Sequence, residues 1–284
     1  MGNEESIKEA VQRELGEDYE VSIIKTVKNN GVEQTGLLAK RGERTVAPVI
    51  YFDDSADPEK DAPRMAIIIR RSQEAPENIV ENITRFENAK KDICFKLVNT
   101  EKNEGMLESM PHREFLDLSA IYYIHLDWND GDLASVNIAN TLMEGWGVTE
   151  EELWDIAFAN TQRIFPAEID SMQSVLCGLI GGVSDLPETD PGMLVVSNDK
   201  KCSGAAVIFY DDVLTRLTDR LGEKIFILPS SVHELIAIPD TGKEDINVLT
   251  DMVRSVNRSE VSEKEFLSDN VYHYERGGEI TIAS

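Results

Sequence analysis

Histidines in polar segments are the residues of this sequence that most directly suggest chemistry. Four histidines occur in 284 residues, and three of them lie in polar stretches: His112, His233 and His273. An imidazole can take the proton of a serine hydroxyl when a carboxylate orients the ring. A hydrolase would therefore use Ser231 with His233, or a His-centred site that combines the three imidazoles.

The sequence around Ser231 favours a turn over a nucleophile. Serine nucleophiles usually sit on a strained Gly-x-Ser-x-Gly turn, and that motif is absent. The segment Pro229-Ser230-Ser231 is typical of a turn in which a hydroxyl binds backbone groups. Catalysis by Ser231 and His233 is therefore the weaker of two hypotheses.

The same segments could hold a ligand, although no metal motif is present. A metal site would need the three histidines to converge with Asp117 or Glu234, and their spacing does not resemble His-Glu-x-x-His. We therefore expect no metal and no cofactor. The polar residues of these segments become candidate binding residues: His112, Arg113, Asp117, Glu234, Asn270 and His273.

The charge of the chain limits its partners. Fifty-three acidic residues against 28 basic ones give a net charge of −25. Such a field repels the phosphates of nucleic acids and of anionic lipids, which excludes nonspecific binding to either. A basic protein is the partner that this charge would attract. Alternatively, the charge only keeps the protein in solution.

Cysteine usage and the first residues predict a cytoplasmic protein. The three cysteines lie far apart and form no Cys-x-x-Cys pair, so neither a disulfide framework nor a zinc site is encoded. The polar, acidic start of the chain lacks the order of a secretion signal. The longest apolar run, residues 175–183, is about half of a membrane span.

The first half predicts a helix followed mainly by strands. Apolar residues recur at helical spacing before Gly16, and two alternating runs flank the turn Asn30-Gly31. A loop is predicted at 53–63, with a helical turn within it as the alternative, and a helix is predicted at 76–90. The predicted strands are 19–27, 32–40, 46–52, 65–70, 93–98 and 120–128.

The second half alternates helices and strand pairs. A turn at 129–132 separates two predicted domains, 1–130 and 131–284, and Thr149 with Glu152 forms a capping box. Leu217 is expected in the core, against a sheet that contains Val207 and Phe209 from one strand pair and Ile225 and Ile227 from the other. The predicted helices are 133–145, 150–160, 169–179, 212–221 and 245–256, and the predicted strands are 193–196, 204–210, 224–228 and 234–238. This pattern is typical of an α+β protein with mostly antiparallel sheets and helices packed on them.

Several strings resemble one family of uncharacterised bacterial proteins, catalogued as domain of unknown function 5688. They are Asn99, Asn103, Pro111 to Arg113, Phe115 to Leu118, Trp146 to Leu153, Phe165 to Ile169, Gly204 to Ala206, Leu228 to Glu234 and Leu267 to Tyr274. The resemblance runs from Ile7 to the C-terminus. It implies a bacterial, cytoplasmic protein and carries no activity, cofactor or catalytic residue.

Two functions from different classes follow. The leading hypothesis is a cytosolic protein-interaction module without enzymatic activity, either chaperone-like or an adaptor, because the chain is acidic and lacks a recognisable nucleophile or metal set. The alternative is a hydrolase with a site centred on Ser231 or the histidines. Convergence of those side chains in one pocket would favour the alternative.

Overall fold

The computed structural model describes residues 2–42, 47, 49–72, 79–128, 132–179 and 192–284. The chain is an α+β protein with antiparallel sheets. The chain divides into two compact units. The first unit comprises Met1–Ala89 and Leu126–Ala134, and the second comprises Lys90–His125 and Ser135–Ser284. The division into domains at Asp130 stays a prediction. None of the helices in the described ranges is long and apolar enough to cross a membrane.

The first unit begins with the predicted helix and β-meander. Helix α1 (Asn3–Leu15) ends at Gly16, whose φ of 88° suits glycine. Strands β1 (Tyr19–Val27) and β2 (Glu33–Arg41) form the predicted hairpin, and β3 (Val49–Tyr51) pairs with β2. A core shared by these elements contains Ile7, Val11, Leu37 and Ala39.

Helix α2 (Pro58–Ser72) replaces the strand predicted at 65–70 and much of the loop predicted at 53–63. The carboxylate of Asp57 accepts hydrogen bonds from the backbone N–H groups of Glu59 and Lys60, which caps the first turn. The buried side chains recur with the period of a helix: Ala62, Met65, Ala66 and Ile69. The strand prediction was wrong because a short apolar run fits either a strand or a helix, and it is the cap at Asp57 that marks the start of a helix. Helices α3 (Ile79–Thr84) and α4 (Phe86–Ala89) follow, while Pro76, the predicted helix start, lies outside the described residues.

One sheet is built around the long strand β6. Strand β4 (Ile93–Asn99) precedes the short helix α5 (Glu104–Leu107) and strand β5 (His112–Phe115), and both strands pair with β6 (Leu118–Trp128). Strand β7 (Asp132–Asn137) also pairs with β6. The helix predicted at 133–145 is therefore wrong in its first part, since helix α6 (Asn140–Trp146) begins only after this strand.

Helix α7 (Glu150–Ile164) packs against β4 and begins at the predicted capping box. The Thr149 hydroxyl accepts from the backbone N–H of Glu152, and the Glu152 carboxylate accepts from that of Thr149. Fully buried Leu153 and Ala157 face the sheet. Glu151, Glu152 and Asp155 of the same helix are exposed to solvent.

A further sheet, within the second unit, has six strands in the order β13-β12-β10-β11-β9-β8. They are β8 (Ala167–Ser171), β9 (Leu194–Asn198), β10 (Lys224–Pro229), β11 (Leu235–Pro239), β12 (Tyr272–Glu275) and β13 (Thr281–Ile282). Helix α8 (Met172–Leu179) follows β8, so the helix predicted at 169–179 begins with a strand instead. Helices α9 (Val213–Leu221) and α10 (Ile246–Glu260) confirm two predicted helices.

A 3-10 helix (Gly204–Phe209) stands where a strand was predicted at 204–210. Its residues from Gly204 to Ile208 are all buried, and an apolar run buried on every side carries no periodicity that separates strand from helix. A Cβ atom at Gly204 would overlap the hydroxyl of Ser197 and the carbonyl oxygen of His233. Only glycine allows this backbone to approach so closely.

Leu217 is fully buried, as predicted. Helix α9 packs on strands β10 and β11, and fully buried Ile225 and Ile227 lie on β10. The predicted sheet residues Val207 and Phe209 belong instead to the 3-10 helix, which also contacts α9. The core position was confirmed, whereas two of its predicted sheet neighbours were wrong.

Candidate functional site

Ser231 and His233 each bind backbone groups in the connection between β10 and β11. The Ser231 hydroxyl oxygen accepts a hydrogen bond of 3.0 Å from the N–H of His233, and Nδ1 of His233 accepts one of 3.1 Å from the N–H of Ser203. Nε2 of His233 lies 3.9 Å from the Glu265 carboxylate, and the Glu234 carbonyl accepts from the N–H of Ser231. These contacts describe a fastened turn. None of them joins the hydroxyl to the imidazole.

The other two polar histidines lie elsewhere. His112 is in β5, where its Nδ1 is 3.0 Å from the carbonyl oxygen of Met110. His273 is in β12, and its Nε2 is 3.0 Å from Asp240 at the end of β11 that is opposite His233. Since the two ends of β11 lie about 13 Å apart at 3.3 Å per residue, the structure does not bring His233 and His273 together, and the strand that holds His112 belongs to a different sheet. Within the described ranges, no group of three or more His, Cys, Asp or Glu residues could hold a metal ion.

Asp117 fastens the C-terminal segment to the turn between β5 and β6. Its carboxylate accepts hydrogen bonds from the hydroxyls of Ser268, at 2.5 Å, and Tyr272, at 2.7 Å. The N–H of Asn270 donates to the same Ser268 hydroxyl. Burial and the Asp117 charge raise the pKa of Tyr272, which keeps it a hydrogen-bond donor. The predicted residues Asp117 and Asn270 are thus brought together in a partly buried network.

Arg113, one of the predicted binding residues, is partly exposed and contacts Glu150 and Trp154. Its Nε and Nη2 atoms donate to the two carboxylate oxygens of Glu150 at 3.2 and 3.0 Å, and its guanidinium lies 4.6 Å from the ring centre of Trp154. Partial burial opposes its charge, but the Glu150 hydrogen bonds outweigh that effect and raise the pKa of Arg113. The hydroxyl of buried Tyr122 also donates to Glu150.

Four half-buried aromatic side chains, of which Trp154 contacts Arg113, form what we call the aromatic surface: Phe115, Trp154, Phe158 and Phe209. Phe209 packs edge-on against Phe115 and Trp154, with centroid distances of 4.6 and 5.7 Å, and Trp154 lies 5.7 Å from Phe158. Fully buried Phe95 anchors Trp154 and Phe209 from beneath, at 5.1 and 5.9 Å. The rings come from β5, α7 and the 3-10 helix, so the surface is supported by several elements.

Acidic residues border the aromatic surface along α7. Glu150, Glu151 and Glu152 occupy its first turn and Asp155 follows, whereas the first basic residue of the helix is Arg163 in its last turn. Glu151, Glu152 and Asp155 are exposed. Leu116 in the β5–β6 turn is 41% exposed and has a φ of 56°. The site thus combines apolar rings, an exposed leucine and negative charge.

Sequence reasoning named Arg113 but missed its partners. Trp154 and Phe158 were not among the candidate residues, and the structure leaves each of them partly exposed. Glu150 entered the sequence analysis only as the first residue of a predicted helix, and its pairing with Arg113 was not predicted. The remaining rings lie far apart along the chain, so only the fold brings them together.

Comparison with known proteins finds one family. The model of a family of unknown function (DUF5688) matches residues 4–276. No curated protein and no solved structure matches the chain.

Proposed function

Because the chain belongs to the DUF5688 family, whose description carries no activity, we propose its function from the geometry alone: it is a protein-interaction module of the adaptor type that binds a basic segment of a partner at the aromatic surface. The observation that carries the proposal is a set of half-buried aromatic rings beside an arginine and a row of acids.

The composition of the surface supports binding to protein. Aromatic residues and arginine are enriched in the centres of protein interfaces, where a few of them supply most of the affinity. Here the rings are held by each other and by Phe95, so little side-chain entropy remains to be lost when a partner covers them. Leu116 extends the apolar area at the β5–β6 turn.

Charge supports a basic partner. The net charge of −25 draws cations toward the molecule over long range, and Glu151 and Asp155 supply local negative charge beside Trp154. Lysine and arginine also bind the faces of aromatic rings directly. An acidic segment would meet repulsion at the same place.

We place this interaction in a bacterial cytoplasm. The three cysteines of the protein, Cys94, Cys177 and Cys202, are free thiols in the structure, which agrees with a reducing compartment.

Titration with a defined peptide tests the proposal. A fluorescent peptide in which basic residues alternate with leucine should bind the full chain, and added salt should weaken binding. The double substitution Glu151→Lys with Asp155→Lys should lower affinity at least about tenfold. The matched control reverses two exposed acids of α10, Asp251→Lys with Glu260→Lys, and changes net charge equally. Equal losses in both variants, or no binding by the wild type, would contradict the proposal.

A second pair of variants tests the apolar part of the surface. Phe158→Ala should weaken the same peptide several-fold, because the ring leaves the binding area. Met252→Ala removes a 44% exposed apolar side chain from α10 and should have no effect. Circular dichroism of both variants is the check that each of them is folded. If Phe158→Ala binds like the wild type, the rings do not form the binding surface.

The hydrolase alternative stays a prediction with a separate test. Incubation with a fluorophosphonate probe should leave Ser231 unmodified, because its hydroxyl binds a backbone N–H and no contact with the imidazole activates it. Labelling at Ser231 that disappears in His233→Ala would favour the hydrolase.

A further inference from the structure

Arg113 is bound to its own protein in the way that a protein binds the arginine of a partner. Two guanidinium nitrogens meet both carboxylate oxygens of Glu150, and one face of the group covers Trp154. The Tyr122 hydroxyl donates to the same carboxylate and so helps to hold its orientation. A carboxylate and an aromatic face set in this way recognise the planar, forked shape of guanidinium.

The pair is accessible from solvent. The side chains of Arg113 and Glu150 are 36% and 31% exposed, and they come from different elements, β5 and α7. Arg113 can therefore leave by rotating its side chain, without movement of either element. Glu150 and Trp154 would then be open to another guanidinium group.

We propose, on the basis of the proposed function, that an arginine side chain of the partner takes the place of Arg113 on Glu150 and Trp154. Arg113 is then a built-in competitor that covers the site in the free protein. The partner gains the bidentate pair and the stacked ring, while Arg113 swings into solvent. The site selects arginine over lysine, because an ammonium group can neither bind both oxygens in one plane nor stack as a flat group.

Competition predicts that removing the guanidinium of Arg113 strengthens binding. The apparent affinity of a site that is open for only a fraction of the time is reduced by that fraction. Arg113→Met keeps an apolar chain against Trp154 but frees Glu150. We expect this variant to bind an arginine-leucine peptide about fivefold more tightly than the wild type, and a lysine-leucine peptide of the same length with little change.

Two further variants separate recognition from general charge effects. Arg216→Met removes the same charge from α9, where Arg216 forms an exposed ion pair with Asp212, the residue before the helix. This variant should bind both peptides with unchanged affinity. Glu150→Gln should abolish the preference for arginine over lysine, because the amide offers one acceptor oxygen where the two nitrogens of the guanidinium need two. A preference that survives in Glu150→Gln would overturn the proposal.

Nuclear magnetic resonance of the wild-type protein gives a readout that does not depend on any variant folding. The Nε–H resonance of Arg113 should shift toward that of free arginine when the arginine-leucine peptide is added. If the peptides bind with the expected dependence on Glu151 and Asp155 but this resonance stays in place, displacement is wrong and the proposed function stands. If neither peptide binds, both are wrong.

Discussion

Replacing Leu217 by alanine is the sharpest test of how helix α9 is packed. The side chain is fully buried, and fully buried Ile225 and Ile227 lie on the strand beneath the helix. The substitution keeps the helix-forming tendency, since alanine is the best helix former. Any loss of stability therefore reports on packing alone.

The expected magnitude follows from the lost contacts. Removing three carbon atoms forfeits about 0.8 kcal/mol each, or about 2.4 kcal/mol. The cavity that remains adds to this, which places the loss in free energy of unfolding at about 2 to 5 kcal/mol. For a unit of this size, a loss of 3 kcal/mol lowers Tm by about 6 to 12 °C.

Thermal and urea unfolding, followed by circular dichroism, measure this loss against two controls. Val248→Ala truncates a side chain that is 63% exposed on α10, so its effect should stay within about 0.5 kcal/mol. His233→Ala removes one acceptor of a backbone N–H in a half-buried turn and should cost about 1 kcal/mol or less. If Leu217→Ala melts like the wild type, α9 is not packed on the sheet and the reasoning is refuted.

Three other expectations come from single contacts. Gly204→Ala should destabilise the protein by about 1 to 3 kcal/mol or more in urea unfolding, because its Cβ meets backbone as well as the Ser197 hydroxyl; wild-type stability would contradict this. Cys94 should resist alkylation in the native protein when the modified cysteines are identified by mass spectrometry, since burial raises its pKa to about 12. A hydrogen bond from Thr241 lowers the pKa of Glu244 from 4.5 to about 2. Its stabilising contribution should thus be present above the unfolded pKa and lost as pH falls through about 2, and Thr241→Val should raise the pKa measured by NMR.

Local sequence signals predicted the elements that local interactions determine. The turn Asn30-Gly31 and the alternating runs around it predicted the β1–β2 hairpin, because turn geometry and side-chain alternation act within a few residues. Thr149 and Glu152 predicted the start of α7 for the same reason, since a capping box satisfies backbone donors within one turn.

The wrong predictions concern segments whose structure depends on tertiary surroundings. Residues 204–210 were assigned to a strand on β-propensity, but close contact of Gly204 with β9 and the His233 turn holds them as a 3-10 helix. Residues 65–70 were assigned to a strand because the capping role of Asp57, eight residues earlier, was not recognised.

The candidate site could be predicted only in part. Arg113 was selected as a polar residue in a suggestive segment, but Glu150 lies 37 residues away and no local pattern joins them. The aromatic surface likewise depends on the placement of β5, α7 and the 3-10 helix. The proposed kind of partner rests on net charge, which the sequence gives directly, whereas the proposed binding place rests on residues that only the fold brings together.

Hydrogen–deuterium exchange with and without the basic leucine peptide shows where on the protein a bound segment lies. A bound segment should slow exchange at backbone amides of β5, of the β5–β6 turn around Leu116 and of the first turns of α7. The amides of α10, whose exposed face lacks both the aromatic rings and the row of acids, should exchange at unchanged rates. Protection confined to α10, or no protection in β5 and α7 when the peptide is bound, would contradict the account.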